Sequence, residues 1–261
     1  MTDFANAGVV VTGAGAGIGR AIAIRFARAG ARVVVNDLNG EAARAVAAEI
    51  GGVAVAGDAA GVAGVEALIA AARAHLGEID VFCANAGVVT SADGTEADWE
   101  KAFTVNVMAH VRAARALLPG WLARGSGRFI VTASAAGLLA MLTDAPYSVS
   151  KHAAVAHAEW LAATYAHRGL KVHCLCPQGV RTQLLEDTGP AGDFLLGAEA
   201  IGPEAVVEAL WAAMAEGHFL VLPHPAVHDY AIARASDPDR WLRGMNRLQQ
   251  RLDGALTPQK A

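Results

Sequence analysis

Short runs of β-branched and other apolar residues alternate with longer alanine-rich stretches along most of the chain. The runs at 8–13 (GVVVTG), 31–37, 52–58, 79–87, 128–133, 171–176 and 218–222 predict seven strands. Between them, 17–30, 40–50, 61–76, 98–123, 147–167 and 203–216 predict helices. In the first helix Ile18, Ile22 and Phe26 share one stripe, and Gly30 stops it. Thr95 and Asp98 have the spacing of a capping box ahead of the long helix at 98–123. The strands are apolar nearly throughout, with little alternation, as expected of strands covered on both faces. The expectation is an α/β fold: a doubly wound, seven-stranded parallel sheet with helices on both faces. Nothing between 1 and 223 reads as a linker, so 1–261 is expected to be a single domain. It would carry a flap at about 183–202 and a C-terminal helical tail at about 223–261.

Composition narrows the function. Hydrophobic residues are 54% of 261, enough for a sizeable core and against disorder. A net charge of −4 gives no basic face for nucleic acid. No apolar run approaches the ~20 residues that span a bilayer, so no membrane partner is expected. The start, MTDFANAGVVVTG, lacks the basic segment of a signal peptide. Cys83, Cys174 and Cys176 are too few and too oddly spaced for a disulfide framework. Buried thiols in a reducing, cytoplasmic compartment are expected. His224 and His228 are four apart, a ligand-like spacing, but no third ligand accompanies them, so no metal is expected.

Two stretches suggest chemistry. TGAGAGIG (12–19) places Gly13, Gly17 and Gly19 between the first strand and the first helix. A helix N-terminus offers free N–H groups and partial positive charge, and small residues let a pyrophosphate reach them. Asp37 ends the second strand, 18 residues past Gly19. Its carboxylate can accept from ribose hydroxyls and would repel a 2′-phosphate, or it can cap the following helix. No Arg or Lys lies at 14–16 or 36–38, which favours NAD over NADP. YSVSK then puts Tyr147 and Lys151 on one helical face, where a cation would favour the phenolate.

Tyr147 and Lys151, Ser134 thirteen residues before Tyr147, Asn106 in VNVMAH and the glycine turn together resemble the short-chain dehydrogenase/reductase family over about 7–222. The resemblance implies a Rossmann-type fold and a catalytic tetrad of Asn106, Ser134, Tyr147 and Lys151. Tyr147 would be the general acid/base, Ser134 would hold the substrate oxygen, Lys151 would also bind the nicotinamide ribose, and Asn106 would hold a water. Lowering a phenol from a pKa of about 10 by ~3 units needs about 4 kcal/mol, from Lys151 and an oxidised pyridine ring together. The cofactor would further meet Ile18 in the glycine turn, Asp58 and Ala59 beside the adenine, and Asn85. ANAG (84–87) resembles the family's N-N-A-G, with Ala84 in place of a bracing Asn. CPQGVRT (176–182) resembles P-G-x-V-x-T, with Gln178 in a glycine's place; Val180 and Thr182 would meet the carboxamide. The implied function is hydride transfer between NAD and a hydrophobic secondary alcohol or its ketone, in a homo-oligomer, tetramer or dimer. The rivals on the same fold are a non-catalytic dinucleotide sensor and a lyase or dehalogenase variant. The intact tetrad argues against the first, and the retained glycine turn and lysine against the second.

The flap at 183–202 combines Leu184, Leu185, Phe194, Leu195 and Leu196 with Gly189, Pro190 and Gly192. With Leu138, Leu139, Met141 and Leu142 it predicts an apolar pocket, although any one of these leucines could equally join the core. In the tail, Trp241, Met245, Leu248 and Leu252 recur at helical spacing. They are expected to pack on their own domain or a neighbouring subunit rather than build a cofactor box. Arg240, Arg243, Arg247 and Arg251 form a stripe beside them, read as a solvated face.

Overall fold

The computed structural model describes residues 4–90 and 94–257. Residues 1–3, 91–93 and 258–261, and with them the outer ends of the expected domain and tail, lie outside the described residues. Seven strands form one sheet: β1 (Gly8–Val11), β2 (Arg32–Asp37), β3 (Val53–Ala56), β4 (Val81–Ala84), β5 (Gly127–Thr132), β6 (Leu170–Leu175) and β7 (Leu220–Val221). Their order is β3-β2-β1-β4-β5-β6-β7, and every pairing is parallel. The chain winds outward from β1 to one edge and then outward from β4 to the other. That reversal leaves a crevice beyond the carboxyl ends of β1 and β4.

Alternate strand residues feed two apolar layers. Val10, Phe82 and Phe129 pack under α3 (Val62–Leu76), α5 (Ala109–Arg124) and α6 (Ala145–Tyr165). Val9, Val11, Cys83 and Ile130 pack under α1 (Gly17–Arg28), α2 (Gly40–Ile50) and α9 (Pro203–Glu216). Every residue of β1 and β4 is buried, which is why these runs show no polar alternation. Cys174 and Cys176 lie buried with their sulfurs 3.8 Å apart. No described helix is long and apolar enough to cross a membrane.

The observed elements depart from the expected ones where the chain turns toward the crevice. Several strands end before their hydrophobic runs do, because 12–13, 57–58 and 85–87 become loops. The single helix expected at 98–123 is α4 (Glu96–Phe103), a π turn at Thr104–Met108, and α5. Helical periodicity carries no signal for that turn, and π turns recur at functional sites. α6 starts two residues before the expected 147 because the buried Asp144 caps it, accepting the Tyr147 N–H at 2.8 Å. The flap is two short helices, α7 (Gln183–Glu186) and α8 (Gly189–Leu196). The tail is also two helices, α10 (Ala226–Ser236) and α11 (Pro238–Leu256), parted at Asp237–Pro238. Pro238 cannot continue a helical ladder, and Asp237 caps α11 by accepting from the Arg240 N–H at 2.9 Å.

Candidate active site

The crevice opens into a cleft of about 870 Å³. At one end lies the N-terminus of α1. Its cap residue, Ala16, has no side-chain hydrogen bond, and its first turn holds no acidic residue. The first N–H groups therefore have no side-chain partner, in contrast to α2, where Asn39 supplies an oxygen. Gly17 has φ +54°, a conformation that L side chains rarely adopt. A Cβ on Gly19 would sit 2.2 Å from the Gly13 carbonyl oxygen and 2.5 Å from Asn85 Nδ2. Ile18 also lines this end of the cleft. The turn is thus fixed by close backbone packing, and it aims an uncapped helix dipole into the cleft, a seat suited to a pyrophosphate.

Asp37 lines the same end at the tip of β2. Its Oδ2 accepts from the Gly15 N–H and its Oδ1 from the Asn39 N–H, both at 2.9 Å. Each oxygen retains a lone pair for a hydroxyl donor. Asp37 does not cap α2 directly; Asn39 does, accepting from the Glu41 and Ala42 N–H groups. Asp58 and Ala59 line the cleft after β3, and exposed Leu38, which sequence reasoning passed over, lines it as well. Asn85 both borders the cleft and ties three strand ends together. It donates to the Thr12 and Gly13 carbonyls at 2.9 and 3.2 Å and accepts from Thr132 Oγ1 at 3.0 Å. With Ala84 in place of a polar side chain, this bracing falls to Asn85, Thr12 and Thr132.

Ser134, Tyr147 and Lys151 meet at the middle of the cleft, all buried. Ser134 sits just past β5; its Oγ accepts the Ala136 N–H at 3.0 Å, and its hydroxyl acts on the Tyr147 phenol to favour the ionised form. Tyr147 stands in the first turn of α6, held by Asp144, whose carboxylate also accepts from the Thr90 N–H and hydroxyl, each at 2.7 Å. Asp144 was not singled out in the sequence; an Asp followed by Ala-Pro ahead of the Tyr is a cap signal that could have found it. Lys151 Nζ donates to the Thr132 carbonyl at 2.9 Å and lies 5.6 Å from the centre of the Tyr147 ring. Asn106 lies one layer behind, in the π turn. Its amide donates to the Val88 carbonyl and Ser150 Oγ, both at 3.0 Å, and accepts the Val88 N–H at 2.9 Å. Gly87 permits this packing, since a Cβ there would lie 3.2 Å from both Asn106 Oδ1 and Lys151 Nζ.

In the chain by itself the electrostatics run opposite to the expected phenolate. Burial is the largest influence on Tyr147 and pushes it up to about 12; the Ser134 hydrogen bond works the other way and the Asp144 charge adds to the rise. Burial also draws Lys151 down to about 8. The ammonium points at a backbone carbonyl rather than the phenol oxygen, so one cation does not offset desolvation here.

Val180 and Thr182 line the cleft beyond Tyr147, with the Thr182 hydroxyl donating to the Val180 carbonyl at 3.2 Å. Gln178 lines it too, and its N–H donates to Nδ1 of buried His224 at 3.1 Å, while His228 is exposed. Among the described residues no group of three His, Cys, Asp or Glu could hold a metal ion. Leu184, Leu185, Leu195 and Leu196 face the cleft from the flap, and Leu139, Met141 and Leu142 from the segment after Ser134. Two expected pocket residues do not line it: Phe194 is 40% exposed, and Leu138 packs against the core. The larger departure is the tail. Tyr230, Trp241, Met245 and Leu248 line the cleft, whereas the stripe was expected to serve packing. Only Leu252 of that stripe is buried, and the four arginines beside it are exposed.

A family model described as short chain dehydrogenase matches residues 7–192. The 1-deoxy-11-beta-hydroxypentalenate dehydrogenase of Streptomyces exfoliatus is 38% identical over 224 residues, 80% of each chain. The D-threitol dehydrogenase of Mycolicibacterium smegmatis is 35% identical over 196 residues, covering 71% of this chain and 75% of that one. Among solved structures, a short chain dehydrogenase/reductase from Burkholderia phymatum in complex with NAD superposes with a TM-score of 0.84 at 28% identity, over 92% of this chain and 96% of that one. A glycine turn at the switch point of a parallel sheet, a buried Ser–Tyr–Lys group beside it and matches of this extent agree: the chain belongs to the short-chain dehydrogenase family of oxidoreductases.

Proposed function

We propose that the protein is an NAD-dependent dehydrogenase that interconverts a hydrophobic secondary alcohol and its ketone. The observation that carries this reading is the buried group of Ser134, Tyr147 and Lys151, set in an apolar cleft with Tyr147 and Lys151 one helical turn apart. The residues fit a dinucleotide: the uncapped α1 N-terminus suits its pyrophosphate, and Asp37, with lone pairs free and no basic neighbour at 36–38, suits an unphosphorylated ribose. Val180 and Thr182 would hold the nicotinamide end, and Lys151 its ribose. When bound, the cofactor would accept or supply the hydride and, if oxidised, add a second cation to the site.

The chain's own residues do the rest. Ser134, whose Oγ already accepts from the Ala136 N–H, directs its hydroxyl proton to the reacting oxygen and fixes the substrate. Tyr147 takes the alcohol proton in oxidation and returns it in reduction. Lys151 holds positive charge beside the phenol. Asn106, whose amide donates to the Val88 carbonyl and Ser150 Oγ and accepts the Val88 N–H, braces the β4 loop against α6 and keeps one Oδ1 lone pair for the water assigned to it. Both relatives are named as dehydrogenases of hydroxylated compounds, which supports alcohol chemistry. A cytoplasmic homo-oligomer is part of this reading. A groove between α5 and α6, lined by Leu118, Leu122 and half-exposed Trp160, gives a second copy a place to pack.

The test is NADH formation with a panel of secondary alcohols, in the wild type and in Tyr147→Phe. Loss of about 10²–10⁴-fold in turnover with NADH binding retained is expected. Unchanged turnover in the variant would sink the assignment and favour a dinucleotide sensor.

A further inference from the structure

The tail is fastened to the site at three places. Just before α10, His224 accepts the Gln178 N–H from the loop after β6. Arg234 of α10 donates to the Leu138 carbonyl, on the segment after Ser134, at 2.7 Å. α11 packs on α8 of the flap. The two helices therefore bridge both loops that flank the Ser134–Tyr147 pair and close the far side against the flap. Their apolar stripe faces inward. The Tyr230 and Trp241 rings lie 6.2 Å apart at the cleft, followed by Met245 and Leu248.

The charge of this wall is as informative as its shape. Among the described residues, Lys151 is the only cation lining the cleft, and Asp187 and Glu199 line its flap side. A carboxylate or phosphate on the substrate would meet acidic side chains with no basic partner. The remaining lining near the tail is leucine, methionine and aromatic carbon, which rewards apolar area.

We propose that α10 and α11 form the specificity-determining wall of the site, selecting bulky, uncharged alicyclic alcohols and ketones. Trp241 and Tyr230, their rings tilted 46° to one another, supply the aromatic corner against which the ring system rests. This rests on the alcohol–ketone reading above.

The experiment uses the full-length chain as wild type, Trp241→Ala, Tyr230→Ala and Trp241→Phe. Calorimetry with NAD present, which has no hydride to give a ketone, measures the binding of the bicyclic ketone camphor and of camphorcarboxylate. Initial rates with NAD compare borneol with 2-propanol. Trp241→Ala is expected to weaken camphor at least ~10-fold and to lower the borneol-to-2-propanol ratio of kcat/KM by a similar factor, given what one misfitting group costs in an apolar pocket. Tyr230→Ala should act in the same direction, Trp241→Phe should recover part of the loss, and NADH affinity should move far less. The wall is overturned if the wild type does not bind camphor, if Trp241→Ala leaves camphor binding unchanged, if the two alcohols decline in parallel, or if camphorcarboxylate binds as tightly as camphor. If camphor binds and Trp241→Ala releases it while neither alcohol is oxidised, the wall stands and the hydride-transfer reading falls.

Discussion

The two ends of the cleft are built on different principles. The dinucleotide end is made of backbone and short side chains from consecutive strand–loop–helix units: the 12–19 turn, Asp37, and the loops after β3 and β4. The substrate end is made of large side chains from segments far apart in sequence: 139–142, 184–196 and 230–248. At the first end selectivity comes from what is kept out, since close backbone packing leaves no room for a Cβ. At the second it comes from what is put in. Substitutions that add atoms should damage the first end, and substitutions that remove atoms should damage the second.

The largest effect expected from that contrast is at Gly19. A Cβ 2.2 Å from the Gly13 carbonyl oxygen must displace the turn. Gly19→Ala should weaken NADH at least ~10²-fold and cost about 1–3 kcal/mol of stability, the usual range for overpacking. Fluorescence titration and thermal melting would measure both. Leu184→Ala at the other end should leave NADH affinity nearly intact and raise KM for a bulky alcohol. Equal cofactor loss in the two variants would break the comparison.

Asp37→Asn gives a smaller effect. It keeps the shape of the side chain but removes the charge facing the ribose end, so the NADP-to-NAD ratio of kcat/KM should rise about tenfold, near 1.4 kcal/mol. A wild type that already prefers NADP would remove the electrostatic role given to Asp37.

The last effect, comparable in size, concerns Lys151, which joins the two ends. Its folded pKa, lowered by burial to about 8, lies below the ordinary value of 10.5. Between those values the unfolded chain binds more protons than the folded one, so this group makes stability rise with pH. Below pH 8 the buried ammonium is a cost, and above 10.5 both states are neutral. Subtracting the urea-unfolding curve of Lys151→Met from that of the wild type at pH 7.5 to 10 should show a rise of about 1–2 kcal/mol. Tyr147 does not mask it, because a group raised to about 12 begins to lose stability only above its unfolded value near 10. A flat difference would mean that Lys151 titrates normally and is not desolvated.

Legibility in the sequence follows the same division. The glycine turn, Asp37, Asp58 and Asn85 lie at strand ends in chain order, so reading the strands located them, and all line one cleft. Ser134, Tyr147 and Lys151 were legible from spacing. Asp144 escaped because its importance lies in three hydrogen bonds, two of them from Thr90, which only folding brings near. Trp241, Met245 and Leu248 escaped because an apolar helical stripe reads the same whether it covers a core or a ligand.

The order of apolar runs and helical stretches determined a parallel sheet covered on both faces, since such strands and helices can bury their surfaces in few other ways. Local motifs determined the uncapped helix terminus and the Tyr147–Lys151 pair, because a helix terminus and an i, i+4 pair are short-range geometry. Which surface the tail's apolar stripe covers, and whether a buried cation outweighs desolvation of a phenol, were decided only by tertiary structure. Both depend on distances between residues that the chain's order leaves free, and on how much water the finished fold excludes from each.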